Sequence, residues 1–153
     1  MSTLRSDNRG VVVSCGSCGR NNRLAFERLG EATRCGQCHA DLAAPASPVE
    51  AGSAADFDVM VGRSPLPVLV DFWAAWCGPC RVVGPQVEIV AKRNSGRWLV
   101  AKIDTEAVPD LAARLQIQSI PTLAVFWRGK EAARTSGARP ADQIEAFVAS
   151  AIT

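Results

Sequence analysis

Cys77 and Cys80 stand three residues apart in Trp76-Cys77-Gly78-Pro79-Cys80, between two segments of different character. Before them, Val68 to Ala75 is largely apolar and reads as a buried strand. After them, Val83, Val87 and Val90 mark one face of a helix expected to run to about Arg93, with Pro85 inside it. A strand that hands a cysteine to the first turn of a helix leaves the chain little freedom. The second thiol then lies on the same helix face as the first. Unpaired N–H groups and the positive end of the helix dipole favour a thiolate there. Such a pair can close into a disulfide and reopen with little backbone movement.

The other four cysteines share the spacing but not the flanks. Cys15, Cys18, Cys35 and Cys38 form two Cys-x-x-Cys pairs with Gly16, Gly19 and Gly36 beside them. This is the spacing of a tetrahedral four-sulfur zinc site, and the glycines let the chain turn tightly round an ion. The segment around them offers mainly Val11, Val12, Val13, Leu24, Phe26 and Leu29 for burial. Roughly 40 residues with so little apolar surface rarely fold unaided. Structural zinc supplies roughly 10–16 kcal/mol of apparent binding energy in finger peptides. Four thiolates complete the shell, so the expected role is structural. His39, the single histidine, is expected to be an exposed neighbour rather than a ligand. The chain is accordingly read as a zinc-ribbon module at 1–42, an Ala/Pro-rich linker at 43–52 and a larger domain at 53–153.

Charge narrows the function classes. The net charge is +2. Within residues 1–45, Arg5, Arg9, Arg20, Arg23, Arg28 and Arg34 are interspersed with Asp7, Glu27, Glu31 and Asp41, and Phe26 is the lone aromatic. That is a poor footprint for nucleic acid. No apolar run reaches membrane-spanning length, and Met1 to Gly10 has no signal-peptide core, so the expected location is cytoplasmic. Thiols stay reduced there, which points all six cysteines to metal or redox chemistry.

The larger part alternates between the two periods. Ser53-Ala54-Ala55-Asp56 reads as a capping box opening a short helix through Met60. Strands are expected at Val68–Trp73, Trp98–Ile103, Thr122–Trp127 and near Glu131–Thr135. Helices are expected at Val108–Leu115 and after Pro140, where Ile144, Phe147, Val148 and Ile152 form an apolar stripe. Strand-helix-strand followed by a hairpin and a helix implies a mixed sheet covered on both faces. Trp73, Trp98 and Trp127 are read as packing residues.

Val70-Asp71-Phe72-Trp73-Ala74-Ala75-Trp76-Cys77-Gly78-Pro79-Cys80, followed by Ser119-Ile120-Pro121-Thr122 and Ser136-Gly137-Ala138, closely resembles the thioredoxin family. The resemblance covers roughly residues 53–153. The four-cysteine module in front, with Asn22-Arg23 after its first pair, resembles the bacterial thioredoxin 2 type. The implied fold is α/β, a central mixed sheet flanked by helices and preceded by a small zinc ribbon. The family's first strand should fall near Pro48 to Gly52, where only Val49 is a good strand former, so it is expected to be short or absent.

The resemblance also implies roles. Cys77, the more exposed thiol, would attack a target disulfide, and Cys80, one turn deeper, would resolve the mixed disulfide. Asp71 would deprotonate Cys80, and a partnership with Lys102 on the next strand is a compatible alternative. Ile120-Pro121 would be a cis peptide facing the dithiol. Trp76, Gly78, Pro79, Ile120, Pro121, Gly137 and Ala138 would make the client-docking surface. The expected function is thiol-disulfide exchange that reduces protein disulfides in a monomer. The clients are disulfide-containing proteins, and a thioredoxin reductase that draws on NADPH would recycle the chain. No Gly-x-Gly-x-x-Gly follows a strand here, so the nicotinamide would bind that partner. Two alternatives stay open: a zinc-containing redox sensor or chaperone, and a dithiol oxidase or isomerase. Gly78-Pro79 resembles the reducing members of the superfamily and argues against the oxidase.

Overall fold

Ten strands and four helices follow one another along residues 3–153, the part of the chain described by the computed structural model. The amino-terminal part holds β1 (Leu4–Asp7), β2 (Gly10–Ser14) and β3 (Asn21–Leu24), then a 3-10 turn at Phe26–Arg28. The short strands β4 (Thr33–Arg34) and β5 (Asp41–Leu42) follow, and pair only with each other. Next come β6 (Val49–Glu50), α1 (Ala54–Arg63), β7 (Val68–Trp73), α2 (Gly78–Arg93) and β8 (Leu99–Asp104). The chain ends with α3 (Pro109–Arg114), β9 (Thr122–Trp127), β10 (Lys130–Ser136) and α4 (Ala141–Ala151).

Eight strands form one sheet in the order β10-β9-β7-β8-β6-β1-β2-β3. β7, β8, β6 and β1 run parallel, while β9 and β10 at one end and β2 and β3 at the other are antiparallel to their neighbours. The mixed sheet expected from the element order is therefore present, and it extends into the cysteine-rich part. The stretch 43–52, read as linker, carries β6, so the family's first strand is formed. It is two residues long and pairs on both sides, Val49 with Ala101 and Leu4, Glu50 with Lys102 and Arg5. Its partners supply what its own composition lacks.

Alternation along the strands sorts the core into two layers. Val68, Val70 and Phe72 of β7 face α1, with Phe57, Met60 and Val61; the same layer takes in Val11, Val13, Leu24, Phe26 and Leu29 from the amino-terminal part. Leu69 of β7 faces the other way with Val83, Val87 and Val90 of α2 and Ile144 and Val148 of α4. Ser53 caps α1 by accepting the Asp56 N–H at 3.1 Å. The helix runs three residues past Met60, because Val61 continues its buried face. α2 passes through Pro85 without ending. Among the described residues no helix is long and apolar enough to cross a membrane.

Candidate active site and metal centre

The end of β7 and the start of α2 bring the dithiol together. Cys77 is the N-cap of α2, Gly78 and Pro79 are its first residues, and Pro79 gives up no needed donor there. Cys77 and Cys80 are joined as a disulfide, with Cα atoms 5.3 Å apart. The Cys77 sulfur accepts the Cys80 N–H at 3.2 Å and lies 3.8 Å from the Ile120 carbonyl oxygen. The Ile120-Pro121 peptide is cis. The expected inequality of exposure is not found in this state: Cys77 is 3% exposed and Cys80 6%. Cys77 is covered because it packs with Ala74 and Ile120.

Asp71 lies in β7 on the sheet face that Leu69 shares and α2 covers. It is 1% exposed, and neither carboxylate oxygen has a hydrogen-bond partner. Burial pushes its pKa up to about 6, against the pull of the Lys102 charge. Lys102 pairs with Asp71 in strand register, but its ammonium lies over the Trp73 ring, 4.8 Å from the centroid. The partnership with Lys102 is thus one of field rather than of a hydrogen bond. A cavity of about 310 Å³ opens beside Cys80, with Trp73, Ala74, Gly84 and Lys102 in its wall.

Trp76 is 67% exposed, the most exposed large apolar side chain among the described residues. It shares a groove of about 360 Å³ with Ile117, Ser119 and Ile120. Gly137 donates its N–H to the Pro121 carbonyl at 2.9 Å, which ties the loop after β10 to the one before β9. Ala138 lines a separate depression with Val82, Gln86 and Arg139. Trp98 is buried, in keeping with a packing role. One contributor carried no signal in the sequence: Glu106, whose carboxylate accepts the Trp76 indole N–H at 2.7 Å.

The amino-terminal cysteines converge as well. β2 and β3 lead into and out of the Cys15/Cys18 turn, and β4 and β5 do the same for Cys35/Cys38. The two turns are built alike. Cys15 N–H donates to the Arg20 carbonyl and Cys35 N–H to the Ala40 carbonyl, both at 2.8 Å. Gly19 and His39 follow the second cysteine of each turn, and both adopt positive φ, 78° and 63°. His39 is therefore an exposed turn residue outside the sulfur cluster, as expected. All four sulfurs lie within 4.8 Å of one another, and Cys15–Cys38 and Cys18–Cys35 are each 3.6 Å apart. A tetrahedron with zinc–sulfur bonds of about 2.3 Å has sulfur–sulfur edges of about 3.8 Å, so the donor set fits zinc. Backbone N–H groups of Cys38 and Gln37 pull the Cys35 thiol down to about 5, and those of Cys18 and Ser17 lower Cys15.

Comparison with known proteins decides the family. Residues 48–150 match the thioredoxin family model, and residues 14–40 match the model described as Thioredoxin 2, N-terminal, a zinc ribbon. The chain belongs to the thioredoxin family. Its relatives include thioredoxin C-3 of Corynebacterium nephridii, 44% identical over 128 residues, covering 84% of this chain and 86% of that protein. Thioredoxin M4 of Arabidopsis thaliana chloroplasts is 37% identical, covering 90% of this chain and 69% of that one. A variant thioredoxin from Halobacterium salinarum superposes with a TM-score of 0.66 at 29% identity, over 73% of this chain and 96% of its own. Thioredoxin-family membership makes the chain a thiol-disulfide oxidoreductase, with an amino-terminal four-cysteine cluster of zinc-ribbon type.

Proposed function

We propose that this thioredoxin reduces protein disulfides, with Cys77 as nucleophile, Cys80 as resolving thiol and Asp71 as the base that serves Cys80. The observation that carries the reading is the Cys77 sulfur at the N-terminus of α2, accepting the Cys80 N–H beside the Ile120 carbonyl. The helix end stabilises a thiolate at Cys77. That thiolate attacks one sulfur of a client disulfide, a Cys77–client bond forms, and the other client sulfur leaves as a thiolate. Cys80 gives its proton to Asp71, by way of water, and attacks the Cys77 sulfur. The intramolecular disulfide closes, and the client departs carrying two electrons more than it brought. A thioredoxin reductase returns those electrons from NADPH.

Trp76, Gly78, Pro79, Ile120, Pro121, Gly137 and Ala138 form the client surface in this reading. An extended client segment pairs with the backbone around Pro121 while its side chains rest on Trp76 and Ile120. Cys15, Cys18, Cys35 and Cys38 would hold one zinc ion as a structural link between the two turns, all four thiolates serving as its ligands. Six thiols, four of them kept free for metal, suit a reducing compartment, the cytoplasm.

The test is trapping. Cys77→Ser should abolish reduction of a disulfide client, and Cys80→Ser should accumulate a covalent client adduct through Cys77. An adduct formed through Cys80 instead would reverse the assignment. The reduction potential should lie near −270 mV, the value established for thioredoxins rather than one obtained from this site, and far from the −120 mV of a strong dithiol oxidase.

A further inference from the structure

We infer that Asn22 is a positioning residue of the metal centre, holding the Cys35 thiolate and the second cysteine turn from a strand that leaves the first. The inference rests on the zinc reading above. Asn22 lies on β3, just after the Cys15/Cys18 turn, and is half-buried. Its amide reaches in both directions. The Nδ2 group donates to the Arg20 carbonyl, which closes the first turn, at 3.1 Å, and to the Cys35 sulfur at 3.5 Å. The Oδ1 atom accepts the Gly36 N–H at 3.0 Å. Apart from the sulfur–sulfur contacts, one other side-chain bond crosses between the turns among the described residues, Arg20 to Gln37 at 3.3 Å, and it is exposed and touches no sulfur.

The near-symmetry of the two turns isolates this contribution. The residue at the same distance beyond Cys35 as Asn22 is beyond Cys15 is Leu42, which has no donor to give. Cys15 accordingly has the Ser17 N–H at 3.4 Å, and Cys35 has both its counterpart from Gln37 at 3.4 Å and the Asn22 amide. A donor on a metal-bound thiolate disperses its charge and fixes its direction. Partners of this kind commonly alter metal affinity by about 10–100-fold. Asn22 also offers an acceptor at Gly36, so the second turn is oriented at its backbone and at its sulfur by a single side chain. Among the described residues no amide side chain from the second turn reaches a sulfur of the first.

The experiment compares the wild-type chain with Asn22→Ala and Asn22→Asp. Zinc content is measured first, and fewer than about one ion per wild-type chain would overturn the zinc reading itself. Zinc transfer to a chromophoric chelator at neutral pH should then be about 10-fold or more faster in Asn22→Ala. Asn22→Asp keeps the shape and the acceptor for Gly36 but removes the donor to sulfur, so it should also release zinc faster. In the cobalt-substituted protein both variants should shift the sulfur-to-metal charge-transfer band. Wild-type release rates in zinc-loaded Asn22→Ala and an unmoved band in its cobalt-substituted form would overturn the inference. Full recovery of rate and band in Asn22→Asp would overturn the contact with Cys35, leaving only a backbone clamp.

Discussion

Asp71 places a carboxylate in an apolar layer with no hydrogen bond to either oxygen, and that has a consequence for stability as well as for proton transfer. The unfolded chain releases this proton near the ordinary 3.8, and the folded chain holds it up to about 6. The folded state therefore binds more protons between these values, and stability falls as pH rises from about 4 to about 6, then levels off. The displacement is equivalent to about 3 kcal/mol. An asparagine in this place would carry no charge to desolvate, so Asp71→Asn should raise stability by up to about 3 kcal/mol at pH 8 and by little at pH 4. Urea unfolding of the disulfide form at the two pH values checks this; an equal gain at both would remove the ionised carboxylate as its cause. The same variant should release client from the mixed disulfide more slowly, with a pH profile that no longer bends near 6. Asp71 was legible in the sequence, because a lone acid between Val70 and Phe72 breaks an apolar run. Glu106 was not, and Asn22 stood out only as part of a resemblance, with no role attached. Each acts on a partner distant along the chain, the Trp76 indole and the Cys35 sulfur, and polar residues in exposed sequence contexts look alike until the fold brings them together.

Strands and helices divide by the source of their stability. β7, β8 and β9 carry long apolar runs, and α4 carries a stripe at helical spacing, so their composition announces them. β1 reads Leu-Arg-Ser-Asp and β6 is a two-residue strand, and both exist because neighbouring strands pair with them. Tertiary pairing overrides local propensity in such short pieces. The turn from β1 to β2 depends on one residue in the same way. Asp7 Oδ1 accepts the N–H groups of Arg9 and Gly10, at 2.8 and 3.2 Å, and Gly10 has a φ of 151°. A β-carbon at Gly10 would overlap the Leu24 carbonyl on β3. Gly10→Ala should therefore strain the backbone and push β3 from β2, destabilising the protein by about 1–3 kcal/mol. Urea unfolding with zinc held in excess gives the cost, and a loss below a few tenths of a kcal/mol would show that the hairpin absorbs the added methyl.

Division of the whole molecule into ribbon, linker and thioredoxin domain describes its sequence better than its mechanics. β1 lies beside β6, with Leu4 N–H on the Pro48 carbonyl at 2.8 Å and Ser6 Oγ on the Glu50 carbonyl at 2.7 Å. Val11, Leu24, Phe26 and Leu29 are buried in the same apolar layer as Phe57, Met60 and Val61. Ser95, after α2, donates to the Ala44 carbonyl at 3.2 Å, which ties down the stretch whose composition reads as a linker. A shared sheet and a shared core unfold together, so zinc bound at one end should stabilise the other. All four tryptophans, Trp73, Trp76, Trp98 and Trp127, lie in the thioredoxin part, so their fluorescence reports on that part alone. Free zinc at about a thousand times its dissociation constant adds about 4 kcal/mol to any state that binds it only when folded. The tryptophan-detected urea transition should therefore move to higher urea on zinc loading, as one transition, and return when a chelator strips the metal. A tryptophan transition indifferent to zinc, while the ribbon unfolds separately by amide exchange, would mean that the β1–β6 pairing does not couple the two ends.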